Sequence, residues 1–145
     1  MSGPTNPTEE YFDKGDWGHD GTRWRKLNLT WGYYDRYVED LGNLNPGAGA
    51  YFKAGTAVPA GEVWVVNAIG FVNATGARGQ VNLMGTWGGI ICYLFSQVAP
   101  ATGVPAIITG QFVLKAGDSV AVQQFGVIAG DDLYAYTLGY KMKVT

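Results

Sequence analysis

Few residues in this chain have the type and spacing to do chemistry. The single histidine, His19, sits between Asp16 and Asp20 in a glycine-interrupted stretch, and a carboxylate beside an imidazole is the beginning of an acid–base pair. Catalysis also needs a nucleophile or a metal held against that ring, and no such partner accompanies it, so His19 reads as a structural or solvated residue. Asp118 and the pair Asp131 and Asp132 could offer hard oxygen ligands to a cation such as calcium. Asp118 follows Gly117 and Asp131 follows Gly130, however, and Asp after Gly ahead of a strand is ordinary turn chemistry, with the carboxylate accepting from nearby backbone N–H groups. Paired carboxylates for glycoside hydrolysis must flank a cleft, whereas Glu62, Asp118, Asp131 and Asp132 all fall at strand ends. Gly85-Thr-Trp-Gly-Gly lacks both the lysine and the strand-to-helix setting of a phosphate loop, and reads as a hairpin tip. No catalytic residue, no metal site and no cofactor are expected.

What would position these residues is a β framework. The stretch from Val58 to Gly76 opens with Pro59 and Gly61, which suit a tight turn, and runs on through Val, Ile, Phe and Trp. Strict alternation puts Val63, Val65, Asn67 and Ile69 on one side and Trp64, Val66, Ala68 and Gly70 on the other. Both sides are apolar, so the strand is expected in the middle of a sheet between two layers. Further strands are expected near 50–54, 78–84, 90–97, 106–114, 119–127 and 133–144, separated by turns rich in Gly, Pro and Asp. In the last of these, Tyr134, Tyr136, Leu138 and Tyr140 share a face on which ring bodies can be buried while hydroxyls reach a partner. Short strands at this spacing, with no βαβ alternation, predict an all-β fold: an antiparallel jelly-roll-like β-sandwich with an extended N-terminal arm. The arm is expected over 1–49 and the sandwich body over 50–145.

Composition places this domain among particular functions. With 145 residues it can bury a core unaided, and with one cysteine it holds no internal disulfide. Cys92, between Ile91 and Tyr93, is expected to be a core thiol. The first residues lack the basic and apolar regions of a signal peptide, and no apolar run has membrane-spanning length, so a soluble chain made in a reducing compartment is expected. A net charge of −2 without clustered Lys and Arg excludes nucleic acid as an expected partner. Thirteen of the 22 charged residues fall in the first 50, leaving a body poor in charge whose surface is expected to be covered by other subunits.

The arm combines Pro, Gly and charge with an aromatic content too high for ordinary disorder, which suggests a segment that orders on a surface. Within it, 30–41 is expected to form a short helix with Tyr34, Val38 and Leu41 on one face, stopped by Gly42. Large aromatics are the expected anchors on a partner, namely Trp17, Trp24, Trp31, Tyr33, Tyr34 and Tyr37, with Arg23 and Arg25 contacting acidic groups.

The segments Val58-Pro-Ala-Gly-Glu-Val-Trp-Val-Val-Asn-Ala-Ile, Leu114-Lys-Ala-Gly-Asp-Ser-Val-Ala-Val and Gly130-Asp-Asp-Leu-Tyr-Ala-Tyr-Thr-Leu-Gly-Tyr-Lys-Met-Lys-Val resemble the β-sandwich modules of tailed-phage virion proteins. The resemblance covers about residues 56–145 and leaves out the arm. It implies a structural subunit without an active site, most like a head decoration, or cement, protein. Such a protein would form trimers, bind the major capsid protein on the outer surface of the shell after synthesis in the host cytoplasm, and involve neither membrane nor nucleic acid. The alternative is a tail or fibre-tip module that binds host-surface glycans through loops such as 85–89, with Trp87 stacking on a sugar ring, and 99–105.

Overall fold

A computed structural model describes residues 17–19, 24–26, 33–76 and 79–143. Among them there is no helix, and ten strands follow in chain order: β1 (Trp17–His19), β2 (Trp24–Lys26), β3 (Tyr33–Asp40), β4 (Gly49–Ala54), β5 (Glu62–Asn73), β6 (Gln80–Trp87), β7 (Ile90–Val98), β8 (Ala106–Lys115), β9 (Ser119–Val127) and β10 (Leu133–Lys143). The chain divides into two units, Met1–Tyr33 and Tyr34–Thr145. The first contains an antiparallel pairing of β1 with β2, in which Trp17 stands opposite Lys26 and His19 opposite Trp24.

The second unit is built from two four-stranded antiparallel sheets, ordered β3-β10-β5-β8 and β4-β9-β6-β7. Counted from β3, the first strand lies beside the eighth, the second beside the seventh, the third beside the sixth and the fourth beside the fifth. That is a long folded ribbon wrapped into two layers, the connectivity of a jelly roll. The expected all-β sandwich is therefore the observed one. Its tightest corner joins Trp87 to Ile90 through Gly88 and Gly89, whose φ angles of 58° and 82° suit the two-residue turn that matches strand twist.

The core lies between the sheets. Trp64, Val66, Ile69, Phe71, Leu114 and Leu133 face it from one layer, and Val81, Leu83, Val120 and Val122 from the other. β5 is central, as its sequence predicts, but its alternation is not strict. Asn67 is passed over in both of its ladders, which step from Val66–Gly139 to Ala68–Leu138 on one side and from Val66–Phe112 to Ala68–Thr109 on the other. This bulge switches the inward face from even to odd positions, so Trp64 and Val66 and then Ile69 and Phe71 all point inward. The expected grouping of Ile69 with Val63 and Val65 is corrected accordingly.

Two further expectations change. Residues 33–40 form a strand, not the body of a helix over 30–41. Tyr37 and Leu41 are both buried, and a spacing of four fits a period of two as well as one of 3.6, so the apolar pattern alone did not separate them. The sheet thus takes in residues expected in the arm, and the second unit spans Tyr34–Thr145. Cys92 is exposed, not a core thiol, because β7 is the outer strand of its sheet and Cys92 stands opposite Gly85, which offers no side chain to cover it.

Candidate interaction surface

Three carboxylates of the sandwich, those of Asp118, Asp131 and Glu39, hold turns and strand ends together. Asp118, 1% exposed, accepts from the backbone N–H of Gly88 at 2.9 Å and of Lys115 at 3.0 Å, tying the β6–β7 corner to the β8–β9 turn. Those two N–H groups hold its carboxyl below the usual carboxylate range. Asp131 accepts from the Ile128 N–H at 3.0 Å, from Asn73 Nδ2 at 3.0 Å and from Thr75 Oγ1 at 3.2 Å, while Asn73 Nδ2 also reaches Gln124 Oε1 at 3.3 Å. The result is a buried polar clasp between the end of β5 and the β9–β10 turn. Glu39 accepts from the backbone N–H and the hydroxyl of Thr56, each at 2.9 Å to Oε1, and from the Tyr37 hydroxyl at 2.7 Å to Oε2. Among the described residues no three His, Cys, Asp or Glu side chains gather as a metal site would require.

Trp87 is also turned to structural use. Its indole N–H donates to the Val113 carbonyl at 2.9 Å and its ring fills the space above Gly85, so it links β6 to the other sheet. The 99–105 loop is pinned as well, with the Gly103 N–H on the Asn73 carbonyl at 2.9 Å and Pro100 buried. Each loop of the glycan alternative is thus anchored to the body, with Gly88, Gly89 and residues 101–105 exposed.

Of the anchors expected in the arm, Trp17 lies on β1, Trp24 and Arg25 on β2, and Tyr33 and Tyr34 at the start of β3. Arg23 and Trp31 lie outside the described residues. Tyr37 is corrected from anchor to core: it is 2% exposed and stacks on Trp64. Burial first, and then the Glu39 carboxylate, push its phenol well above the usual tyrosine range, so it stays a hydrogen-bond donor.

A surface suited to a partner lies instead on the outer face of the β3-β10-β5-β8 sheet. Leu133, Ala135 and Thr137 point inward, so Tyr134, Tyr136 and Leu138 point out, and they are 46%, 51% and 41% exposed. They stand opposite Val72, Gly70 and Ala68 of β5, and on the far side of Gly70 stands Ile107 of β8. A Cβ on Gly70 would sit 3.6 Å from the Tyr136 ring and 3.7 Å from Ile107, so both side chains lie down across the small central residues. Val113 extends the apolar area on β8, while Arg36, Val38 and Asp40 are exposed on β3 beside it. No charged residue occurs in β10 before Lys141 or in β8 before Lys115. An apolar, aromatic centre with charge confined to its margin is the anatomy of a protein-docking face. Alternation within β10 made its tyrosines legible from sequence; the contribution of β8 was not, because it depends on which strand lies beside β5.

The class defined by strand order and surface is a jelly-roll sandwich with a charge-poor, aromatic outer face. No family model matches the chain, and no curated protein matches it. Solved structures similar to it include a Bacillus endospore appendage from a family of disulfide-linked pili, with 15% identity over 83% of this chain and 100% of the other and a TM-score of 0.39. Dimeric latent PorU from Porphyromonas gingivalis is similar at 13% identity over 77% of this chain and 13% of its own, with a TM-score of 0.34. A chain of infectious bursal disease virus, Gt strain, is similar at 10% identity over 86% of this chain and 35% of its own, with a TM-score of 0.28.

Proposed function

We propose that the chain is a structural subunit of a virion, a decoration or cement protein that binds an assembled phage head on its outer surface and stabilises it. The major capsid protein is its partner, the bound form is a homo-oligomer for which the phage resemblance implies a trimer, and no catalytic step is involved. The observation that carries this reading is the outer face around Tyr136, an exposed aromatic centre in a body whose carboxylates Asp118 and Asp131 are themselves buried. A partner that covers such a face stabilises the assembled state by mass action, since each contact exists only in the bound form. Residues of the arm, with Trp17 and Trp24 foremost, would extend the grip to neighbouring subunits.

The test is cosedimentation with expanded heads of the phage that carries the gene. Wild-type protein is expected to bind at high copy number, and Tyr136→Glu, a change at a half-exposed position, to remain folded and lose binding at least thirtyfold, the scale of one hot-spot residue. Absence of the protein from purified heads, or unchanged binding by Tyr136→Glu, would overturn the reading.

A further inference from the structure

The two sheets leave four outer strands, β3, β8, β4 and β7. Exposed strand edges invite pairing with other chains, and soluble proteins guard them with charge, proline or irregularity. β3 carries Asp35, Arg36, Glu39 and Asp40, β4 carries Lys53, and β8 ends on Lys115. β7, Ile90-Ile-Cys-Tyr-Leu-Phe-Ser-Gln-Val, has neither a charge nor a proline. Ile90, Ile91, Tyr93 and Val98 are 69%, 54%, 64% and 77% exposed, so the strand is bare at both ends. Its first six residues have the composition of a segment that aggregates when left uncovered.

We propose that β7 is a self-association edge, on which β7 of a second copy pairs antiparallel across a two-fold axis. Distribution of charge selects that occupant. The opposite flank, formed by β3 and β4, would bring Asp35, Arg36, Asp40 and Lys53 against an edge that offers them no counter-charge. A second β7 brings no charge, so no like charges meet across the ladder. A register shift opposite Leu83 and Met84 leaves Leu94 unpaired, so Ile90–Tyr93 is the straight run available for the ladder. At about 3.4 Å per residue that four-residue ladder is roughly 14 Å long, a contact of the small, transient class, which predicts a reversible, concentration-dependent dimer. The contact uses the edge of the β4-β9-β6-β7 sheet and not the outer face around Tyr136.

Sedimentation equilibrium of the full chain tests the proposal, with Cys92 as a native reporter on the same strand. The wild type is expected to pass from monomer to dimer with concentration, and a short bismaleimide is expected to link two copies through Cys92. Ile91→Lys and Tyr93→Lys, both at exposed positions, should keep the wild-type urea midpoint, weaken association at least tenfold and abolish the cross-link. A wild type that stays monomeric, an association that is trimeric and not dimeric, or folded lysine variants that associate as the wild type does would each overturn it.

Discussion

The ring of Tyr37 lies 4.6 Å from that of Trp64, tilted by 38°, and joins β3 to the start of the central strand β5. Lys141 Nζ stands 4.8 Å from the same indole, whose N–H donates to Glu62 Oε2 at 2.6 Å. An aromatic from a charged, exposed strand thus closes one end of the core. Tyr37→Ala is expected to destabilise the sandwich by about 3–5 kcal/mol, the range for emptying a buried aromatic site. Tyr37→Phe should cost about 1 kcal/mol, since Glu39 keeps its bonds from Thr56. Urea unfolding followed by tryptophan fluorescence measures both. An unchanged midpoint in Tyr37→Ala would mean that the ring serves only to bind a partner.

The same contact fixes where the chain can be cut. Removing residues 1–32 leaves β3 and Tyr37 in place, and the remaining chain is expected to unfold cooperatively near the full-length midpoint. Removing 1–40 deletes an outer strand and uncovers Trp64, which is 4% exposed in the intact sandwich. That second truncation should shift the urea midpoint far downward or yield insoluble protein. Equal midpoints for the two would contradict the assignment of β3 to the core.

These effects also explain what could be read from the sequence. Seven strands from β4 to β10 were legible because Gly, Pro and Asp punctuate them and β-branched and aromatic residues fill them. β3 was hidden by its place at the edge of its sheet: Asp35, Arg36, Glu39 and Asp40 can stay charged there, and they imitate the solvated face of a helix. The exposure of Cys92 was hidden for the complementary reason, since nothing in its apolar neighbours says that β7 pairs on one side only. The exposed aromatic face was half legible, Tyr134 and Tyr136 by alternation, Ile107 and Val113 only through the strand order.

The bulge at Asn67 sets a requirement on its neighbour. At Gly139, opposite Val66, a Cβ would collide with the backbone carbonyl of Val65 and come within 2.9 Å of Val66 Cα. Backbone cannot swing aside as a side chain can. Gly139→Ala is therefore expected to cost about 1–3 kcal/mol or more, although it adds one methyl group and alanine has no difficulty with strand geometry elsewhere. Gly47→Ala, where a Cβ meets nothing within 4 Å, is the control and should be neutral within about 0.5 kcal/mol. Thermal unfolding of the two variants checks the contrast.

Asp118 gives the sandwich a pH dependence whose sign follows from its environment. Its carboxylate is stabilised by the N–H groups of Gly88 and Lys115, which lowers the folded-state pKa relative to an unfolded value of about 3.9. A depressed acid contributes stability that is fully present above the unfolded pKa and is lost as pH falls through the folded one. Between pH 7 and about 4.5 this residue should therefore leave stability unchanged, and the loss should set in below about pH 4. Asp118→Asn replaces one acceptor oxygen by an N–H₂ donor facing a backbone N–H, so at pH 7 it is expected to cost about 1–3 kcal/mol. The difference between wild type and variant should then shrink as the wild-type carboxylate is protonated. Urea midpoints of both proteins at pH 7, 4 and 2.5 measure this directly. A gap that stays constant over that range would show that the carboxylate charge does not hold the two turns together.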